Sequence, residues 1–296
     1  MKVVVSGASG LIGTALVRSL RADGHDVTRL VRRTPTAGDE AQWDPSAGQL
    51  DAAVIDGADA VIHLAGAGVA DHRWTDDYQQ TILRSRVDGT TTIASAVAEA
   101  TTPPRVLACA SAVGYYGDRG DELLDETSSR GAGFLAGVVE QWEAAANPAR
   151  AAGVRVVHLR SGLVLSPEGG VLGTTLPLFK LGLGGKLGSG RQWMPWIALP
   201  DEVAAIRFLI ERDDCAGVYN LAAPEPVRNV DYTKAIGRAL HRPTLATVPR
   251  LALVAALGDF AREGALVSQR AVPARLLDAG FDFRYDDVDA ALRAML

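Results

Sequence analysis

The chain has 296 residues, a mass of 31.1 kDa and a formal net charge of −5. That mildly acidic balance excludes a surface-wide phosphate-binding face for nucleic acid, and 48% hydrophobic with 22% charged residues excludes a disordered chain. Two cysteines, Cys109 and Cys215, are too few for a disulfide framework or a four-cysteine metal site.

Val3-Val4-Val5 enters a strand directly, without the apolar core and cleavage site of a signal peptide. No apolar run approaches the ~20 residues of a membrane span. A soluble, cytoplasmic protein with no membrane and no nucleic-acid partner is expected. A helical run follows, with Leu11, Ile12, Leu16 and Leu20 apolar and Gly24 at its end. Further strands are predicted at Val27–Val31, Ala60–Leu64, Val106–Ala110 and Val154–Leu159. Continuous apolar strands alternating with helices predict a parallel sheet covered on both faces. Residues 36–49 are polar and turn-rich with no periodic signal. Both cysteines sit in apolar runs and read as buried thiols.

After Leu165 the texture changes to a glycine-rich stretch containing Trp193 and Trp196, which suggests an irregular segment wrapping a pocket. Asp201 reads as an N-cap, with Val203, Ile206 and Ile210 on one helical face. Val218–Leu221 reads as a further strand, and residues 231–241 as another helix.

The most informative stretch is Val5-Ser6-Gly7-Ala8-Ser9-Gly10-Leu11-Ile12-Gly13, a G-x-x-G-x-x-G between a strand and a helix. Gly7 permits the tight turn. Gly10 lets backbone N–H groups reach a pyrophosphate, and Gly13 lets the helix pack close to the strand. At the end of the second strand, Arg32 and Arg33 stand where an NAD-preferring site would carry a carboxylate. A carboxylate would repel a 2′-phosphate, whereas Arg32 offers a bidentate clamp with Arg33 as helper, so the cofactor expected is NADP. Leu64-Ala65-Gly66 ends an apolar strand whose carboxyl end would lie along the cofactor. His63 reads as a satisfied strand residue.

With these residues, the chain resembles the extended short-chain dehydrogenase/reductases. More narrowly it is similar to their atypical epimerase-family subgroup, whose members are described as nucleoside-diphosphate-sugar epimerase-like. The resemblance runs over the whole chain: Ser6–Gly13, His63–Gly66, Arg73-Trp74, Ser85-Arg86, Ser111–Asp118, Phe134-Leu135, Arg160–Leu165, Leu181–Gly185, Gly188–Gln192, His241-Arg242-Pro243 and Ala279-Gly280-Phe281. It implies an α/β fold: a Rossmann-type doubly wound parallel sheet with a smaller C-terminal substrate lobe. Residues 1–165 would form the NADP-binding domain, with 199–222 returning to it, and 166–198 with 223–296 the lobe. It also implies cofactor contacts at the glycine loop (Gly7, Ser9, Gly10, Leu11, Ile12, Gly13), Arg32, Leu64, Ala65, Arg86 and the turn around Leu163.

One departure stands out. The superfamily's Tyr-x-x-x-Lys pair, in which lysine assists proton exchange at the tyrosine, is absent. The chain has four lysines, Lys2, Lys180, Lys186 and Lys234, and none follows a tyrosine by four residues. The resemblance sets Phe134 and Val138 at those positions. The remaining catalytic candidates are Ser111, which matches the superfamily's serine region, and Tyr115 and Tyr116 beyond it. Glu140 and Glu143 read as a solvated helix face with Trp142 turned inward. Gln192, Trp193 and Trp196, with Arg191, are the substrate-side candidates. Two functions follow as expectations. One is an NADP(H)-dependent oxidoreductase or epimerase-like enzyme acting on a small carbonyl, alcohol or sugar-type substrate. The other is a non-catalytic NADP-binding sensor or partner protein.

Overall fold

Along the first strand, β1 (Lys2–Ser6), successive side chains point to opposite faces, and both faces are buried. Val3 and Val5 enter one core cluster while Val4 enters another. This double burial is why the strand reads as an unbroken apolar run. In a computed structural model that describes residues 1–296, six further strands join it: β2 (Asp26–Val31), β3 (Glu40–Gln42), β4 (Ala60–His63), β5 (Val106–Ala112), β6 (Arg155–Ser161) and β7 (Gly217–Leu221). All pairings are parallel, in the order β7-β6-β5-β4-β1-β2-β3. This is a Rossmann-type α/β fold. Chain order reverses between β1 and β4, which opens a crevice at the carboxyl ends of those strands.

Helices α1 (Leu11–Ala22), α2 (Asp76–Glu99), α3 (Phe134–Ala144), α4 (Gly170–Lys180), α5 (Leu199–Glu211), α6 (Asn229–Leu240), α7 (Arg250–Leu257) and α8 (Val288–Met295) complete the frame. Leu16 and Leu20 of α1 and Ile206, Leu209 and Ile210 of α5 fill the first core. Ile93 and Val97 of α2, with Ala149 of the short helix Asn147–Ala151, fill the second. A third cluster belongs to the smaller C-terminal lobe and joins Leu172, Leu176 and Phe179 of α4 to Ile236 of α6 and Leu292 of α8. Short strand pairs stitch the lobe together. Leu163–Leu165 runs parallel with Trp196–Ala198, Gly185–Leu187 parallel with Ala246–Val248, and Trp193–Met194 antiparallel to Val227–Arg228.

Two local readings change. The polar segment 36–49 contributes the edge strand β3, where an exposed rim tolerates polar residues. Asp201 is not the N-cap of α5. The helix begins at Leu199 with Pro200 in its first turn, and the buried Asp201 carboxylate instead accepts the amides of Arg284 (2.9 Å) and Tyr285 (3.0 Å). No helix is long and apolar enough to cross a membrane.

Candidate functional site

The β1–α1 turn is shaped by its glycines. Gly7 has φ +70°, and a Cβ there would lie 2.6 Å from the Leu64 carbonyl carbon and 2.7 Å from the Ala65 nitrogen. A Cβ at Gly13 would collide with the Gly7 carbonyl oxygen, so only glycine lets α1 pack so close to the turn. Helix α1 has Gly10 as its N-cap, no capping side chain and no acid in its first turn. Its positive end therefore faces the loop without competition, and Ser9 and Gly10 are exposed there, with Leu11 and Ile12 half-buried. Residues that leave no room for a Cβ and present a bare helix N-terminus fit a dinucleotide pyrophosphate.

Beneath the turn, Ser6 Oγ lies 2.6 Å from His63 Nδ1. His63 is fully buried, and burial followed by the charge of Arg86 pushes its pKa down to about 4, so the ring is neutral. Its Nε2 has no partner, which makes the ring only half satisfied. Leu64 and Ala65 are half-buried beside the turn and Gly66 is exposed. Arg86 of α2 reaches back to this loop, donating to the Ala67 carbonyl at 2.9 Å, and its guanidinium lies 5.0 Å from the Trp142 ring centroid. Burial lowers its pKa to about 10.

The two arginines after β2 differ in their freedom. Arg33 is held by Glu40 in a bidentate pair at 2.6 and 2.8 Å, and the Glu40 carboxyl is pulled down to about 2, first by that hydrogen bond and then by the Thr36 amide. Arg32 is exposed and has no hydrogen-bond or ion-pair partner. Of the two, Arg32 is the one available to a ligand.

At the end of β5 the three catalytic candidates part company. Ser111 is buried and donates to Glu143 Oε1 at 2.6 Å. Tyr116 is fully buried. Its hydroxyl donates to Asn220 Oδ1 (2.8 Å) and accepts from Arg160 Nη1 (3.2 Å), and burial pushes its pKa up to about 12. Tyr115 is half-buried, its hydroxyl makes no hydrogen bond to the protein, and the Arg160 guanidinium lies 3.5 Å from its ring centroid. Arg160 is fixed by a bidentate pair with Glu143 at 2.7 and 2.8 Å. Glu143 is therefore not on a solvated face. Burial alone would raise its carboxyl, but the hydrogen bonds and charge of Arg160 hold it below its ordinary value. Glu140, one turn away, is exposed and Trp142 is turned inward.

On the lobe side, a cavity of about 370 Å³ is lined by Gln192, Arg191, Arg228, Arg250, Asp121 and Ser268, among others. Arg228 pairs with Asp121 at 3.0 Å, while Arg191 and Arg250 have no ion-pair partner. Gln192 is buried and donates to the Leu187 carbonyl at 3.2 Å. The Trp193 ring lies between the guanidinium groups of Arg228 (4.4 Å) and Arg270 (4.7 Å), with Nε1 donating to Asp121. Trp196 departs from the expectation of a substrate-facing surface. It is a fully buried core residue whose Nε1 donates to the Glu225 carbonyl, because side chains an odd number of residues apart in an extended segment point to opposite sides.

Residues 3–222 match the NAD dependent epimerase/dehydratase family. The chain belongs to that family. A domain of unknown function matches residues 248–295. An epimerase family protein of Mycobacterium tuberculosis is 46% identical over 290 residues, covering 98% of this chain and 96% of the relative. The human epimerase family protein SDR39U1 is 35% identical over the full length of both chains. Its crystal structure with NADPH superposes with a TM-score of 0.92 at 32% identity, covering 100% of this chain and 99% of that one. The nucleoside-diphosphate sugar epimerase of Corynebacterium glutamicum gives 0.84 at 38% identity, with this chain covering 58% of that longer one.

In this epimerase/dehydratase family member, Phe134 and Val138 both lie on α3. Phe134 packs edge-on against Trp74 at 5.2 Å and Val138 is buried, so both behave as packing residues. Leu163 is half-buried at the turn after β6, its amide bonded to the Pro195 carbonyl at 2.7 Å. Beside that turn, Glu202 is fully buried. It accepts from Ser161 Oγ at 2.5 Å through Oε1 and leaves Oε2 unpartnered. Burial pushes its pKa up to about 8, against the pull of the Ser161 hydroxyl. The unfolded chain thus releases this proton first, and stability falls as pH rises from about 4.5 towards 8. Glu202→Gln, which mimics the protonated acid, is expected to be more stable than wild type at pH 8 and to lose that advantage near pH 5. Urea midpoints at the two pH values read the difference, a tenfold change in proton affinity being worth about 1.4 kcal/mol.

Proposed function

We propose that this chain binds NADP(H) and is an oxidoreductase or epimerase-like enzyme acting on a small carbonyl or alcohol substrate that carries an anionic group. The observation that carries the reading is Tyr115: a half-buried phenol with a free hydroxyl, held against a fixed cation, at the end of β5. NADPH bound in the human relative supports the cofactor. Gly7, Ser9, Gly10, Leu11, Ile12 and Gly13 would hold its pyrophosphate and Arg32 its 2′-phosphate, with Leu64, Ala65, Gly66, Arg86 and Leu163 along its length. When bound, the nicotinamide supplies or takes a hydride.

The chain's own residues do the rest. Tyr115 gives or takes the proton at the substrate oxygen. Ser111 and Tyr116 have their hydroxyls engaged, and with Glu143 they hold Arg160 in place. Arg191, Arg228 and Arg250 attract the anionic group, while Gln192 lines the cavity and Trp193 packs against Arg228. A second reading, a non-catalytic NADP-binding sensor or partner protein, is favoured by the packing roles of Phe134 and Val138.

NADPH should raise the melting temperature more than NADH, since a ligand that binds only the folded state stabilises it. Arg32→Ala should weaken NADPH binding about tenfold to a hundredfold and leave NADH unchanged, the loss of a charged hydrogen-bonding clamp. Equal shifts by the two cofactors would overturn the NADP assignment, and no shift by either would overturn cofactor binding. A screen of anionic carbonyl compounds, following NADPH absorbance, tests turnover. Turnover that survives Tyr115→Phe removes Tyr115 from the mechanism, and NADPH binding with no turnover selects the sensor.

A further inference from the structure

Two stretches of this acidic chain contain seven cations and no acid. Residues 169–200 carry Lys180, Lys186 and Arg191, and residues 232–258 carry Lys234, Arg238, Arg242 and Arg250. Three of the four lysines fall there, so the rest of the molecule is more acidic than its net charge suggests. The fold brings the two stretches together. Gly185–Leu187 pairs with Ala246–Val248, Arg242 Nε donates to the Lys180 carbonyl at 2.9 Å, and a Cβ on Gly182 would sit 3.7 Å from the Pro243 ring. Lys234, Arg238, His241 and Arg242 then line one open concavity of about 620 Å³ at the C-terminal end of α6. Asp289 neutralises Arg238 at 2.6 Å, whereas Lys180, Lys234 and Arg242 have no ion-pair partner.

Exposed leucines lie in the same two stretches, beside the concavity. Leu181 is 73% exposed, Leu183 64% and Leu245 93%, with Leu178 half exposed behind them. The Leu183 amide turns back to the Leu178 carbonyl at 3.0 Å, which keeps these leucines on one tight turn, and Leu245 immediately precedes the strand paired with residues 185–187. A single exposed leucine is ordinary. A group of them beside three unpaired cations, with no acid in either stretch, is a surface built for contact.

We propose that this face docks on an anionic phospholipid bilayer, the leucines entering the headgroup region and Lys180, Lys234 and Arg242 meeting lipid phosphates. Bare leucines rimmed by lysine and arginine match an interfacial membrane contact. A protein partner is favoured less because the strongly exposed apolar residues include no aromatic anchor of the kind that dominates protein interfaces. Contact of this kind requires no spanning helix. It is independent of the catalytic reading, since Lys180, Lys234, Arg242 and the leucines are assigned to neither cofactor nor substrate. Arg191 and Arg250 belong to the candidate substrate cavity and are not part of the contact.

Co-sedimentation of the full chain with vesicles tests the proposal. The chain should pellet with vesicles of mixed phosphatidylcholine and phosphatidylglycerol and stay in solution with phosphatidylcholine alone. High salt should release it, because the attraction is screened. Lys234→Glu combined with Arg242→Glu should abolish pelleting, and replacing each cation singly by Ala should cost about fivefold in partition. Leu181→Ser with Leu183→Ser should weaken it too, with the NADPH response unchanged in every variant. The melting temperature should be unchanged in those that keep Arg242, whose bond to the Lys180 carbonyl joins the two stretches. No pelleting with mixed vesicles at low salt overturns the proposal, as does equal binding to neutral vesicles. A concentration-dependent doubling of solution mass that the leucine variants abolish would assign the face to a second copy and overturn it as well.

Discussion

Gly13→Val is expected to abolish NADPH binding and to lower the stability of the whole chain. A Cβ at this position collides with the backbone oxygen of Gly7, which cannot move like a side chain, so overpacking costs about 1–3 kcal/mol or more and pushes α1 off the turn it presents. Gly7→Val should act the same way, with an added penalty for φ +70°. Gly24→Ala is the control. That residue has φ +76° but open space around its missing Cβ, so only the conformational cost of about 1 kcal/mol applies and the NADPH-induced shift in melting temperature should persist. Calorimetry with and without NADPH separates the three variants. Full NADPH binding by Gly13→Val would refute the role given to the turn.

The second large effect falls on a residue that acts through a buried arginine. Glu143→Ala leaves the Arg160 guanidinium, 4% exposed, without its counter-charge, and removes the acceptor of Ser111. Breaking a buried pair from one side costs about 3–5 kcal/mol. Glu140→Ala, at an exposed site 3.3 Å from Arg130, should cost less than about 0.5 kcal/mol. Urea midpoints should show that contrast. The pH dependence has a definite sign. Because the Glu143 carboxyl is held below its ordinary value, its contribution is present above about pH 4.5 and fades as the pH falls below it. Wild type and Glu143→Ala should therefore converge in acid.

The glycine turn and the arginines after β2 were legible because their chemistry is local: one turn, one helix start and one strand end lie within a few dozen residues. Glu143 was not. On a helix, Glu140 and Glu143 are three apart and look like one solvated stripe, and only the neighbouring strand β6, carrying Arg160, draws Glu143 inward. The same holds for Arg228 and Arg250, which join Arg191 through strand pairings that link segments with no shared sequence signal. Trp193 and Trp196 are both substrate-side candidates by sequence, yet their odd spacing in extended chain leaves Trp193 against Arg228 and Arg270 and sends Trp196 into the core. The Tyr-x-x-x-Lys absence was visible by inspection. What occupies its neighbourhood, a cation resting on Tyr115, required the fold.

The seventh strand has a consequence for synthesis. β7 lies at residues 217–221, beyond the whole of α4 and α5, yet it is the only strand that covers the outer edge of β6. A ribosome adding about 5–20 residues per second leaves that edge bare for some seconds after β6 emerges. An apolar strand with an open edge is a template for wrong pairing. The nascent sheet thus passes through a window in which it depends on chaperones or on speed, and slowing translation between residues 162 and 217 should raise the aggregated fraction without changing a single contact of the finished protein.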